Sequence, residues 1–146
     1  TIPDFLKRFE AFPAVEINWL VYGSGGNKEK SNEDVMKRFR FHSLPDHYLN
    51  RHVKSIVNPR RVFTMIGCHE VARIDGKAAD SHGNPITRNF RERTPQQDVI
   101  RINHYAVRSL EEFREKQLRG RASGTKTSVP MDYFNEYDLN DIEEKQ

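Results

Sequence analysis

The chain has 146 residues, 24 Lys or Arg and 21 Asp or Glu, so its formal charge is only +3 and a polycation that coats nucleic acid is excluded. No stretch approaches the roughly 20 apolar residues of a membrane-spanning helix. A single cysteine, Cys68, excludes a disulfide framework and an all-cysteine metal site. We therefore expect one domain in a reducing, cytoplasmic compartment.

The N-terminal third predicts a helix followed by a buried strand. Residues 1–12 place Phe and Leu side chains on one face of a 3.6-residue period, and Pro13 ends that pattern. Residues 14–22 are rich in β-branched and aromatic side chains, with Asn18 as the polar exception towards the end. This composition indicates a strand that is covered on both faces.

The middle of the chain predicts short strands and a long polar excursion. Residues 54–59 and 61–66 read as two strands separated by Asn58-Pro59, and residues 71–74 read as another. Residues 75–97 carry turn-forming residues and little apolar content. Apolar residues return at 99–107, which predicts a further strand.

The clearest local signal lies near the C-terminus. Ser109 followed three residues later by Glu112 is a capping box, so a helix over 110–118 is expected, ending at Gly120. Residues 132–144 then contain six acids and no base, which predicts an acidic tail. Strands mixed with helices indicate an α/β or α+β layer fold.

Three groups of residues could carry chemistry. Trp19, at the end of the first strand, is a core residue or the floor of a sugar or base site. His69-Glu70 beside Cys68 could act in acid–base chemistry, although a lone histidine is more often structural. His104 lies where a strand leads into the capped helix, a junction at which α/β folds bind ligands.

A nucleic-acid interface is an alternative reading of the segment 37–61. That segment holds seven Lys or Arg and one acid, with aromatic residues interleaved, as in grooves that bind single strands. The modest total charge and the lack of a nucleic-acid motif make such a partner the weaker hypothesis.

The chain also resembles a known enzyme family through an ordered set of short segments. They are Asp-Phe-Leu at 4–6, Asn-Trp-Leu-Val-Tyr-Gly-Ser-Gly-Gly at 18–26, Arg-Phe at 38–39, Val-Lys-Ser-Ile-Val at 53–57, His69, Ile-Asn-His-Tyr at 102–105, Ser-Leu-Glu-Glu-Phe at 109–113, Lys116 and Arg119-Gly120. The set is similar to glycosyltransferases of the family 2 and family 92 type. The resemblance implies the C-terminal part of a GT-A nucleotide-sugar fold, a mixed sheet with flanking helices, over residues 1–130, with 131–146 as an acidic tail.

The resemblance also implies an activity and its reactants. A sugar would pass from a nucleotide-sugar donor to a hydroxyl acceptor, a carbohydrate or glycoconjugate, in polysaccharide or glycoconjugate synthesis. The family's acidic Asp-x-Asp element, which holds a divalent Mn or Mg ion, lies before the segment that matches this chain. The resemblance therefore implies a metal only together with that absent element, and predicts that these 146 residues alone are inactive.

The resemblance assigns roles to the residues singled out above. His104 is expected to ligate the metal or contact the diphosphate, and Lys54, Lys116 and Arg119 are expected to bind phosphate oxygens. Trp19 and His69 are both expected on the acceptor side. His69 and Glu70 are expected to be the catalytic residues, and the base that deprotonates the acceptor is expected at Glu70 or Asp75, the acids nearest to His69 in sequence.

Two readings from other classes stand beside the enzyme. One is a non-catalytic remnant that binds carbohydrate or a partner, and the other is the basic nucleic-acid-binding module. An incomplete sheet would also leave an unpaired edge, which predicts self-association.

Overall fold

The structure, a computed structural model, describes residues 1–120 and 128–145. The chain divides into two compact units, one formed by residues 1–20 and 45–102 and the other by residues 21–44 and 103–146. Residues 121–127, which the predicted domain 1–130 includes, and residue 146 of the predicted tail lie outside the described residues. The units are described one at a time below.

The described residues form a mixed α/β chain of short elements. The α-helices are α1 (Ile2–Leu6), α2 (Val35–Arg38), α3 (Leu110–Arg119) and α4 (Met131–Tyr137). The strands are β1 (Ala14–Val21), β2 (Phe41–His42), β3 (Val53–Val57), β4 (Val62–Ile66), β5 (Glu70–Arg73), β6 (Ile102–His104) and β7 (Ile142–Glu143). The α/β class expected from the sequence is thus confirmed. In the part of the chain described, no helix has the length and apolar character needed to cross a membrane.

The buried strand predicted at 14–22 is β1, in which every residue is buried. It lies at the centre of a three-stranded sheet of order β3–β1–β6. In the first unit β1 pairs antiparallel with β3, in a register that sets Ala14 opposite Val57 and Asn18 opposite Val53. Since side chains alternate along a strand, Glu16 and Asn18 share one face of β1.

The N-terminal helix is shorter than the sequence predicts. Thr1 caps α1, which ends at Leu6, and the chain tightens into a 3-10 turn over Lys7–Phe9 before Pro13. The phenylalanines still do what their spacing predicts. Phe9 packs with Val15 and Ile17 in a core cluster of the first unit that Phe5 and Phe12 flank.

The strands expected at 61–66 and 71–74 are β4 and β5, and they pair antiparallel as a hairpin. Gly67, with φ of 67°, lies at its turn, where the left-handed conformation favours glycine. The long excursion at 75–97 contains no helix or strand beyond a 3-10 turn at Phe90–Glu92 and isolated β-bridges of Ala79 with Val15 and with Pro85.

The strand expected over 99–107 is reduced to β6, Ile102–His104. The chain turns directly after it, where the Ala106 amide donates to the His104 carbonyl at 3.1 Å. Arg108 then adopts φ of 57°, a left-handed conformation incompatible with an extended strand.

The second unit contains the capped helix. Ser109 and Glu112 form both hydrogen bonds of the capping box at the start of α3, and Gly120, with φ of 76°, is its C-cap. Part of the predicted acidic tail is regular structure, because it includes α4 and β7, and β7 pairs antiparallel with β2.

Candidate functional site

The predicted site residues fall into two groups, one in each unit. Trp19, Lys54, His69 and Glu70 belong to the first unit. His104, Lys116 and Arg119 belong to the second unit.

In the first unit, four rings form what we call the imidazole cluster: Trp19, His52, His69 and Phe90. The indole of Trp19 stacks on His52 with ring centres 4.9 Å apart and lies 5.3 Å from His69. The two imidazoles are 5.1 Å apart, and Phe90 packs against both. The structure therefore brings His69 to Trp19 and adds His52 to the cluster.

Both imidazoles are fixed by the backbone. Nδ1 of His52 lies 2.9 Å from the Leu49 carbonyl oxygen, and Nδ1 of His69 lies 2.9 Å from that of Val53. In the neutral ring Nδ1–H is then the donor, which leaves Nε2 as the atom that accepts a proton. Burial lowers the pKa of His52, so this ring is held neutral to lower pH than an exposed histidine.

Trp19 is a core residue by its burial, because only 6% of its surface is exposed and His52 covers one face. Lys54 places its ammonium 5.6 Å from the centre of the indole and donates to the Cys68 carbonyl at 2.7 Å. Glu70 begins β5, and its carboxylate makes no side-chain hydrogen bond or ion pair within the described residues. The acceptor and phosphate roles of Trp19 and Lys54 remain predictions.

His52 is the member of the cluster that the sequence reading missed. Its signal is the register of the sheet, because the Trp19 amide donates to the His52 carbonyl at 2.9 Å just before β3 begins. That pairing joins segments more than thirty residues apart, so no local pattern reveals it.

In the second unit, a cavity of about 440 Å³ lies along one face of α3; we call it the α3 cavity. Residues three and four apart share a helix face, so α3 presents a charged row to this cavity. The lining residues are Lys30, Tyr105, Ala106, Val107, Arg108, Glu112, Glu115, Lys116 and Arg119. Four cationic and two acidic side chains therefore meet there.

Both acids of the α3 cavity are engaged by cations or by the helix cap. Glu115 pairs with the Lys30 ammonium at 2.8 Å. Glu112 accepts from the Arg38 guanidinium at 3.0 Å and from the Ser109 hydroxyl at 2.8 Å. The positive charge that these pairs do not neutralise is carried by Arg108, Lys116 and Arg119.

Lys116 and Arg119 differ in how free they are. The Lys116 ammonium donates to the Ala106 carbonyl at 2.8 Å and lies 5.0 Å from the Tyr133 ring centre. Arg119 is exposed, and its guanidinium makes no hydrogen bond or ion pair within 1–120 and 128–145. Arg108 reaches Glu112 only at 3.6 Å. A guanidinium that has no close acidic partner can donate two parallel hydrogen bonds to a phosphate or carboxylate.

His104 is not among the lining residues of the α3 cavity, although its neighbour Tyr105 is. Its imidazole lies edge-on to Tyr137, with ring centres 6.2 Å apart. The described residues contain no group of three or more His, Cys, Asp or Glu side chains placed to hold a metal ion. His104 could supply one ligand, and the described residues do not complete a divalent-cation site on their own.

Comparison with known proteins adds nothing to this geometry. The chain matches no protein-family profile, no curated protein and no solved structure.

Proposed function

We propose that this chain is part of a glycosyltransferase that transfers a sugar from a nucleotide-sugar donor to a hydroxyl acceptor, and that the α3 cavity binds the donor diphosphate. The observation that carries the proposal is the charge of that cavity. Its acids are already paired, while the Arg119 guanidinium projects from the wall without a partner among the described residues.

The chemistry of sugar transfer fits such a cavity. As the bond between the sugar and the diphosphate breaks, negative charge grows on the phosphate oxygens of the leaving group. Arg119 and Arg108 can neutralise that charge by donating to these oxygens, and Lys116 adds a fixed positive charge close by. Tethering of Lys116 to the Ala106 carbonyl keeps its ammonium in place before the donor arrives.

Deprotonation of the acceptor hydroxyl requires a base, and the first unit contains candidates. His69 has an Nδ1 bound to a backbone carbonyl, so its Nε2 can take the proton from an acceptor hydroxyl that binds in this unit. His52 has the same arrangement. Glu70 stays a second candidate because its carboxylate is uncommitted within the described residues.

The wider parts of the proposal rest on the resemblance. The resemblance is the basis for three expectations: a GT-A fold, a role in polysaccharide or glycoconjugate synthesis, and inactivity of these residues alone. A divalent metal enters only with an Asp-x-Asp element, to which His104 would add one ligand.

A titration with uridine diphosphate tests the proposal. Arg119→Gln removes the uncommitted cation of the cavity, and Arg114→Gln is its matched control, since Arg114 lies exposed on the same helix but does not line the cavity. Loss of one charge-assisted contact at an exposed site should weaken binding about fivefold. Equal affinity in the two variants, or no binding by the unaltered chain, would remove the diphosphate from this cavity.

The nucleic-acid alternative finds less support in the contacts of the basic segment. Of its seven cationic side chains, five are committed to other groups within the described residues. Arg38 pairs with Glu112, Arg40 with Glu143, Arg61 with Asp75, Arg51 donates to the Arg91 carbonyl and Lys54 donates to that of Cys68. A steep fall in oligonucleotide affinity with added salt would revive this alternative.

A further inference from the structure

A second polar cavity, of about 260 Å³, lies in the first unit; we call it the Asn18 cavity. Its lining residues are Asn18, Asp80, Arg88, Glu92, Arg93, Thr94 and Gln96. Every one of them is polar or charged, and none of them lines the α3 cavity. Asn18 and Asp80, whose side chains are held by hydrogen bonds, form what we call its floor, and the exposed Arg88, Glu92 and Thr94 form its rim.

Asn18 forms part of the floor. Its side chain is buried on β1, where its Nδ2 donates to the carbonyls of Asn50 at 3.1 Å and Arg51 at 3.2 Å. Its Oδ1 accepts from the Gln96 amide at 3.1 Å. All of the polar atoms of this side chain are therefore engaged, and the asparagine is fixed in one orientation.

Asp80 forms the other part of the floor. Its carboxylate accepts from the backbone amides of His82 and Asn84 and from the side chains of Asn84 and Gln96, at distances from 2.9 to 3.2 Å. Burial opposes ionisation of Asp80, but these hydrogen bonds outweigh it and lower its pKa. Each carboxylate oxygen accepts two of these hydrogen bonds, so the group is charged and fixed at neutral pH.

The rim is different, because its side chains are uncommitted. Arg88, Glu92 and Thr94 are exposed and make no side-chain hydrogen bond or ion pair within the described residues. Arg93 pairs through Nη2 with Glu16, while its buried Nε has no hydrogen-bond partner there. That nitrogen is buried away from the open cavity, so the ion pair with Glu16 fixes Arg93 in the wall and the ligand-facing donors come from other residues.

The charges of the Asn18 cavity balance, in contrast to those of the α3 cavity. Two guanidinium groups and two carboxylates line it, and the Thr94 hydroxyl offers both a donor and an acceptor. A neutral ligand whose groups both donate and accept suits such a wall better than an anion does. The volume lies below the roughly 300–1,000 Å³ of sites for drug-sized ligands, which limits the ligand to about one ring.

We infer that the Asn18 cavity binds a single sugar ring through its hydroxyl groups. Arg88 donates to ring hydroxyls, Glu92 accepts from them, and the Thr94 hydroxyl does either. Binding of a sugar stands on the cavity alone. Only the identification of that sugar as the acceptor of the transfer rests on the proposed function.

The test uses methyl glycosides of glucose, galactose, mannose and N-acetylglucosamine as probes, with binding followed by saturation-transfer NMR and titration. Arg88→Gln and Thr94→Val each remove one contact from the exposed rim. Arg60→Gln is the matched control, since Arg60 is exposed in the same unit but does not line the cavity. Each rim variant should weaken binding of the bound glycoside about two- to twelvefold, and the control should not.

The outcomes separate this inference from the proposed function. Failure of all four glycosides to bind, or equal binding by the rim variants and the control, would overturn the sugar site. Arg119→Gln, in the α3 cavity, should leave glycoside binding unchanged. If glycosides bind as expected while uridine diphosphate does not bind at all, the sugar site stands and the transferase proposal fails.

Discussion

The buried contact between Arg38 and Glu112 offers a demanding test of how the wall of the α3 cavity is held. The side chains expose only 4% and 11% of their surface, and the guanidinium donates to the carboxylate at 3.0 Å. The same carboxylate accepts from the amide and hydroxyl of Ser109. Glu112→Gln keeps the shape of the side chain and removes its charge.

The expected loss of stability follows from these contacts. Removing one partner of a buried ion pair costs about 3–5 kcal/mol, since the other charge is left buried. Arg38 keeps hydrogen bonds to the carbonyls of Ser31 and Glu29, and glutamine retains one acceptor oxygen, so we expect about 2–4 kcal/mol. Glu111→Gln, an exposed change in the same helical turn, should cost less than about 1 kcal/mol.

Urea denaturation at neutral pH measures both free energies of unfolding, and a pH series adds a second readout. Burial opposes ionisation of Glu112, but the hydrogen bonds from Ser109 and Arg38 outweigh it and hold its pKa below the ordinary value of 4.5. The carboxylate therefore stabilises the fold fully above about pH 4.5 and loses this effect as the pH falls through the folded pKa. Equal stability of Glu112→Gln and Glu111→Gln, at every pH, would refute the reasoning.

Three further changes test other parts of the structure. Arg93→Met leaves the Glu16 carboxylate buried alone and should cost about 3–5 kcal/mol of unfolding free energy in urea denaturation at neutral pH. Because burial raises the pKa of Glu16 even beside Arg93, this loss should shrink as the pH falls and Glu16 is protonated. A loss that does not change with pH would count against the pairing. Trp19 is the single tryptophan and stacks on His52, so its fluorescence should fall when the His52 imidazole is protonated, with a midpoint below pH 6.5. A midpoint at or above pH 6.5, or an unchanged titration in His52→Gln, would contradict the stacking. Ser109→Ala removes the cap of α3 and should cost about 1 kcal/mol in the same denaturation assay, whereas no loss would show that the cap contributes nothing.

Several elements were predictable from the sequence because their signals are local. The capping box at Ser109 and Glu112 and the C-cap at Gly120 fix the ends of α3 with residues only a turn away from them. The nearly continuous apolar run that became β1 could be read in the same way. The helix over 1–12 was too long because an apolar period does not show where a helix tightens into a 3-10 turn.

The sites were less predictable because they depend on contacts between distant segments. His52 joins the imidazole cluster through the register of β1 with β3, and Arg38 reaches Glu112 across more than seventy residues. The Asn18 cavity draws residues from β1 and from the irregular stretch around residues 80–96. Lys116 and Arg119 share a cavity as helix spacing predicts, while His104 is not among its lining residues.

The most direct measurement of the central proposal is an NMR titration of the isotope-labelled chain with uridine diphosphate. Amide signals of residues 106–108 and of the α3 face that carries Lys116 and Arg119 should shift together, with one affinity, and Arg119→Gln should weaken that affinity. Saturable shifts confined to other residues, or none at millimolar nucleotide, would contradict binding of the donor diphosphate in the α3 cavity.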